Sequence, residues 1–487
     1  MNKETRTQKI QEIIDRDQAN PFGKQEIPWE DDLITMNVYK IPLNLLVYNK
    51  YNGRILSRTK SLEKQNRVID EFSEEGKKII EKLLWNSKVD PNKKTQKNIA
   101  DFGQQKIGII TKDGIIIDGN RRAMLLNDIQ NDGALSGKKF NKKYDYFKAV
   151  VLPVTLLENP LEIEKLETSF QMGEDKKLGY NATEKYLKAK ELYFRLTSKT
   201  EIDLNNLEEV AINKIADWMG ENPSEIKKYL STMVIMDEYL NYLEYDGIYT
   251  QLDGREDQFL SLTKWLDNFY GESSKKANWG YKDDDVDDLK TIAFDYLRFR
   301  NEYDGKEFRN LAEGISDKHF FGNKEIWKSF VSRHYEIIDS LPSEPIIDFD
   351  SKNLENHLNA RDKLFFDSSK FENDTSAFIE NLNEHKQLVG YNQAAGAPEK
   401  LIKRASQTFD AIKTNHKSFL KPEVQALVEE LGDKIFATLQ KKSPTRVLSH
   451  IINLLESIDV NKVPKDELED FKTKAKEISK ICYPIYK

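Results

Sequence analysis

The chain has 487 residues and a mass of 56.7 kDa, with 38% hydrophobic, 10% aromatic and 32% charged residues. That supplies enough apolar material for two to four domains and excludes wholesale disorder. No apolar run approaches the ~18 residues of a membrane span and the N-terminus has no apolar signal core, so a cytoplasmic protein that does not enter a membrane is expected. The single cysteine, Cys482, excludes an intrachain disulfide, and the six histidines are too scattered for a zinc site.

The net charge of −7 conceals an asymmetry. Residues 36–150 carry 23 Lys and Arg against 13 Asp and Glu, a net of +10, so the rest of the chain sums to −17. A basic segment on an acidic protein suggests that phosphates meet the chain there. Lysine-rich turns such as 90–97 and 137–143 account for part of the excess.

In chain order, residues 1–35 read as a charged arm with a short helix over Thr5 to Ile14. Tyr39 to Ile55 opens on a strand. Ser61 to Ser87 is charged, with apolar residues at Val68, Phe72, Ile79, Ile80, Leu83 and Leu84, and reads as one or two helices inserted before the next strand. Ile107, Ile109 and Ile110 are strand formers, and Asp113-Gly114 is the dipeptide that a two-residue hairpin turn prefers. Ile115 to Ile117 resume the sheet, Asp118-Gly119-Asn120 breaks it, and Arg121 to Ile129 has the apolar spacing of a helix. Two arginines in a first helical turn oppose the helix dipole unless an anion sits there too. A helix N-terminus preceded by Gly offers backbone N–H groups, and Arg121 and Arg122 would add bidentate contacts to phosphate. The bland alternative is a surface arginine pair with Asp118 capping the helix.

These segments together resemble the N-terminal domain of the ParB partition-protein family, within the ParB/sulfiredoxin superfamily. Asn49-Lys50-Tyr51-Asn52-Gly53-Arg54 is similar to that family's Asn-Pro-x-Gln-Pro-Arg element. Asn98 to Thr111 resembles its helix, glycine and strand, and Gly119 to Ala123 stands where the family has Gly-Glu-Arg-Arg. The resemblance covers about the first half of the chain. It implies an α+β ParB/sulfiredoxin-like domain over 36–160 that binds a nucleoside triphosphate, CTP or ATP, with or without Mg²⁺. Arg54, Asp118, Gly119, Asn120, Arg121 and Arg122 are the expected contacts. Sulfiredoxin chemistry is set aside, because it needs a cysteine beside the phosphate-binding arginine.

Ala149 to Leu157 reads as a further strand, with Pro153 placing it at an edge or a bulge. The pattern then turns helical. Glu167 to Lys188 lies where the family carries Glu-Asn-x-x-Arg, but Thr168 follows Glu167 and no Arg comes at the right distance. Since that element supports CTP turnover in the family, at most slow NTPase activity is expected, with a ParB-like nuclease as the enzymatic alternative. Gln171 and Lys176 or Lys177 are candidates to replace the missing contacts.

Ile212 to Leu230 fits a helix-turn-helix within a helical domain over 161–243. Ala216 permits close helix approach, Gly220 supplies the turn, Asn222 caps and Pro223 starts the second helix, and Ile226, Tyr229 and Leu230 face the core. Ser224, Lys227, Lys228 and Ser231 are the side chains positioned for duplex DNA. Residues 206–242 carry three basic and seven acidic residues, a net of −4, which also fits packing or a protein-binding surface. Residues 244–395 read as a helical domain of unknown role, with an acidic run at Asp283 to Asp288 as a solvated helix start. Residues 396–487 show apolar helical spacing at Val424, Leu427, Val428, Leu431, Ile435 and Leu439, expected as a bundle for dimerisation or partner docking. The whole reads as a ParB-like, nucleotide-regulated DNA-binding homodimer, mostly α-helical after its first domain. The alternatives are a phosphoryl-transfer enzyme or nuclease of the same superfamily, and a DNA-associated adaptor of a mobile-element or anti-phage defence system.

Overall fold

The computed structural model describes all residues except 66, 142, 174–180, 271–278, 300–301, 304, 314–317, 352 and 441–442. The chain divides into two compact units, Met1–Gln393 and Ala394–Lys487.

The first unit opens with α1 (Lys3–Asp17), β1 (Gly23–Trp29), β2 (Asp32–Pro42), α2 (Leu56–Lys64), α3 (Glu74–Ser87) and α4 (Val89–Phe102). There follow β3 (Gly108–Ile110), β4 (Ile116–Asp118), α5 (Asn120–Gln130) and β5 (Tyr146–Val151). The five strands form one mixed sheet in the order β1-β2-β5-β3-β4, antiparallel except for the β3/β5 pair. The period of two in the strands divides the apolar residues between two layers. Tyr39, Ile41, Ile110, Ile116, Phe147 and Ala149 bury against helical residues such as Ile10, Ile80, Ile99 and Leu125. On the other face Ile27, Val38, Ile109, Ile117 and Val150 pack under Ile163 and Leu166 of α6 (Pro160–Thr168).

Several local expectations change. The first 35 residues are not an arm: α1 buries Arg6, Ile10 and Ile13, and β1 forms the sheet edge. Glu30 and Asp31 take φ of 51° and 66°, the paired left-handed turn that matches strand twist in a two-residue hairpin. The charge pattern hid this, because an edge strand and a helix each bury only one narrow stripe. The Asp113-Gly114 hairpin has a three-residue loop rather than two: Thr111 pairs with Ile115, and Gly114 N–H donates to Thr111 O at 2.9 Å. Gly114 sits at φ +88°, where an added Cβ would stand 2.4 Å from Leu45 O. Ser61 to Ser87 holds the end of α2 and the whole of α3, two helices as expected, but Val68 and Phe72 stay exposed. Pro153 lies beyond the end of β5, and β5 is a central strand, not an edge.

After α6 comes one π-helical turn, Ser169–Gly173, and then α7 (Ala182–Thr197), α8 (Glu209–Met219) and α9 (Pro223–Tyr242). Helices α10 (Glu256–Tyr270), α11 (Asp283–Arg298), α12 (Lys324–Ser340), α13 (Leu354–Asp367) and α14 (Ala377–Ala394) follow. Residues on both sides of the expected division at 243/244 share one core, from Tyr186 and Leu230 through Phe259 and Leu289 to Phe378. Asp283, Asp284 and Asp285 occupy the first turn of α11, favourable beside the positive end of its dipole.

The second unit contains α15 (Pro398–Asp410), α16 (Pro422–Gln440), α17 (Pro444–Glu456) and α18 (Leu468–Tyr486). The helices form as the spacing predicts, but the expected packed bundle does not. Among the described residues of this unit only Val447 is buried, and Leu427, Leu431 and Ile435 remain exposed. No helix of the described residues is long and apolar enough to cross a membrane.

Candidate anion-binding cleft

The site forms where β4 hands over to α5. Gly119 is the N-cap of α5, at φ 106° and ψ 16°, a backbone region that a side chain disfavours. A Cβ there would lie 2.7 Å from Phe147 Cζ. No side chain caps this helix, so the N–H groups of its first turn have no partner within the helix and face outward. Asp118 does not serve as the cap; its carboxylate pairs with the Arg122 guanidinium.

A cleft of about 540 Å³ opens at this helix end. All six residues expected to contact a nucleotide, Arg54, Asp118, Gly119, Asn120, Arg121 and Arg122, line it. They reach it from two separate segments of chain, Arg54 from one and the consecutive residues Asp118 to Arg122 from the other. Arg54 comes from the loop before α2, where Asn49 Oδ1 accepts from Tyr51 N–H at 3.0 Å and Asn52 Oδ1 from Arg54 N–H at 3.2 Å. Arg121 is held on α4, donating to Asn92 Oδ1 and, at 2.9 Å, to Thr95 Oγ1. Asn92 is in turn buried and donates to Leu84 O and Trp85 O at 3.0 and 2.7 Å. The Arg122 Nε is buried without a hydrogen-bond partner among the described residues. Asn120 plays a different part from the one expected. Its Oδ1 accepts from Asn49 N–H at 2.9 Å and its Nδ2 donates to Ile116 O at 3.1 Å, so its side chain ties the loop to the strand and leaves only backbone for a ligand.

The cleft is cationic. Lys106 lines it, and burial together with Arg54 and Arg121 pulls the Lys88 ammonium below its usual pKa. Close like charges raise each other's cost, which a polyanion relieves. Its acidic lining is Asp118, already paired with Arg122. Among the described residues no group of three His, Cys, Asp or Glu is placed to hold a metal. The cationic lining suits the oxygens of an anion.

Behind the cleft, Gln171 lines the wall and donates to Ile117 O at 3.2 Å and to Glu167 Oε1 at 3.0 Å. Burial pushes the Glu167 carboxyl up to about 7, against the pull of Lys188 and with Glu164 adding to the rise. Lys188, itself buried, pairs with Glu164 at 3.0 Å. Gln171 thus reaches the cleft as expected; Lys176 and Lys177 lie outside the described residues.

The sequence reading missed the far wall. Thr95, Asn98, Gln104, Gln105 and Lys106 come from α4 and the loop after it, and Gln25 from β1. A signal was present in 92–98, where Asn92, Thr95 and Asn98 recur every three residues along one helical stripe.

The helix-turn-helix is a separate feature. Gly220 ends α8 at φ 65°, and Ala216, Ile226, Tyr229 and Leu230 are buried. Asn222 stands at the N-cap of α9 without a side-chain bond. Of the expected DNA contacts, Ser224 is exposed, while Ser231 Oγ donates back to Lys227 O at 3.0 Å. Lys227 pairs with Glu209 and Lys228 with Glu225. The lysines are thus already matched by carboxylates on the same surface, and α9 is buried along much of its length through Met233, Met236, Tyr239 and Leu240.

No known protein family matches the chain, and no curated protein or solved structure resembles it significantly.

Proposed function

We propose that this chain is a ParB-like, nucleotide-regulated DNA-binding protein that takes a nucleoside triphosphate, CTP favoured, in the cleft at the N-terminus of α5. The observation that carries the reading is the convergence of Arg54, Arg121, Arg122 and the Gly119 backbone on one cavity from distant segments. An uncapped helix N-terminus and several guanidinium groups make an anion site by two independent physical routes. Turnover is slow or absent in this reading, because the chain places no Glu-Asn-x-x-Arg cation beside the leaving phosphate. Duplex DNA and homodimer formation belong to the same proposal, with the basic sheet domain supplying phosphate contacts that the acidic helix-turn-helix lacks. The test is calorimetric titration of CTP, ATP and GTP, with and without Mg²⁺, into the full chain and into a folded Arg121→Ala, Arg122→Ala variant. Saturable binding lost in the variant supports the assignment; equal affinity in both removes it.

A second reading, a DNA-associated adaptor, draws on the exposed apolar faces of α15 to α18. It predicts capture of a protein partner through residues 394–487 and no nucleotide binding.

A further inference from the structure

The sheet face that carries the cleft does not end there. In the antiparallel register Gly23 pairs with Val38 and Gln25 with Met36, while Val38 faces Val150, Lys40 faces Lys148 and Pro42 faces Tyr146. Directly paired residues point to the same side of a sheet, so Gln25, Lys40, Lys148 and Tyr146 share one face. The half holding Val38 and Val150 is covered by α6. At the other half Lys40 and Phe22 are exposed, Phe22 by 48%.

Two features of this open half call for a ligand. Lysines directly opposite across strands repel, yet among the described residues no carboxylate lies within ion-pair distance of Lys40 or Lys148. Both ammonium groups instead stand near the Phe22 ring, at 5.1 and 4.6 Å from its centroid, and Lys40 also sits 5.0 Å from the Tyr146 ring. The patch is also continuous with the cleft. Lys148 donates Nζ–H to Gln104 O at 3.1 Å and N–H to Gln104 Oε1 at 2.7 Å, and Gln104, Lys106 and Gln25 line the cleft wall.

We infer that Phe22, Lys40, Lys148 and Tyr146 form a binding surface for single-stranded nucleic acid running from the open sheet face toward the cleft. Interleaved lysines, the exposed Phe22 ring and the half-buried Tyr146 ring suit a strand with unstacked bases: the cations meet phosphates while a ring takes a base face. A duplex hides those base faces within its stack, so it would use the lysines alone. The surface needs neither a bound nucleotide nor the helix-turn-helix, and it goes beyond the proposed function by giving this sheet a single strand as its ligand.

The test uses the full chain with fluorescently labelled oligo(dT) of about 20 nucleotides, and a duplex of equal length, followed by anisotropy over a salt series. The expected result is tighter binding of oligo(dT) than of the duplex. Phe22→Ala should weaken it about tenfold through lost stacking, and Lys40→Gln should flatten the log–log salt slope by about 0.7. Circular dichroism checks the fold of each variant, and the milder Lys40→Gln keeps the test valid if Phe22→Ala fails to fold. CTP and ATP titrations on the same variants separate this surface from the nucleotide site: unchanged nucleotide affinity with lost oligo(dT) binding supports the inference, as does oligo(dT) binding by a chain that takes no nucleotide. Equal oligo(dT) affinity in the wild type and both variants overturns it. So does no binding of oligo(dT) at low salt, or an effect of Phe22→Ala on duplex affinity as large as its effect on oligo(dT).

Discussion

At the scale of single residues, the cleft depends on a glycine, an arginine and a buried carboxyl group, each for a different reason. Gly119 combines φ +106° with a close approach to Phe147. Gly119→Ala is therefore expected to cost about 1–3 kcal/mol of stability in denaturant unfolding, from backbone strain and displacement of the ring. Arg121 is fixed by Asn92 and Thr95. Losing one charge-assisted phosphate contact costs about 1.5–3 kcal/mol, so Arg121→Ala should weaken nucleoside triphosphate binding about tenfold or more by calorimetry. Glu167 gives a pH signature. Its carboxyl is raised by burial from the ordinary 4.5 to about 7, so the native state binds its proton more tightly than the unfolded chain does. That contribution to stability is complete below about 4.5 and disappears as the pH rises through about 7. Thermal melts of the wild type and Glu167→Gln between pH 4.5 and 8 should diverge, the wild type losing more stability toward the alkaline end. Parallel curves would show that Glu167 does not titrate there.

At the scale of elements, the same helix pair carries two separable properties. Its packing is conventional: Leu230 is fully buried between α8 and α9 with Ile212, Ile215 and Ile226. Leu230→Ala should cost about 2–5 kcal/mol, through lost transfer energy and the cavity left behind. Its surface chemistry is less favourable to DNA, since Glu209 and Glu225 occupy Lys227 and Lys228. If α9 reads duplex DNA, Glu209→Gln with Glu225→Gln should raise duplex affinity several-fold and steepen the salt slope by up to about 0.9 for each lysine released. Duplex affinity unmoved by that pair, and by Lys227→Glu with Lys228→Glu, would assign the motif to packing or protein contact.

At the scale of the whole molecule, the two units differ in how they satisfy their apolar residues. Residues 1–393 enclose continuous cores, whereas 394–487 presents Leu427, Leu431 and Ile435 at four-residue intervals on an exposed face of α16. An apolar helical stripe left in water is a self-association surface. The full chain should therefore show concentration-dependent mass in light scattering, and Leu427→Ser with Leu431→Ser and Ile435→Ser should shift it toward the monomer. A wild-type mass that stays monomeric at every concentration would leave those faces to a different partner.

Local sequence determined what depends on near neighbours along the chain. The strand–turn–strand–helix unit around Asp118 to Arg122, the two helices meeting at Gly220 and the helical spacing of 401–481 all follow from periodicity and from glycine's access to positive φ. The cleft residues from Asp118 to Arg122 were legible because a glycine, two arginines and a helix start are adjacent, whereas Arg54 was expected only from the family resemblance of residues 49–54. What the sequence could not show are relations across long separations. The edge strand β1 joins the sheet only through pairing with β2, and its charged outward residues masked it. The central position of β5 follows from parallel pairing with β3, which no local pattern encodes. Asn120 is polar and adjacent to the arginines, yet its amide is taken by Asn49 N–H and Ile116 O. Lys227 and Lys228 look like groove contacts until tertiary packing places Glu209 and Glu225 beside them. Apolar spacing in 401–481 fixed the helices, but whether a stripe is covered depends on which surfaces meet it. Tertiary structure decided that those stripes stay exposed, because among the described residues no other element of their unit buries them.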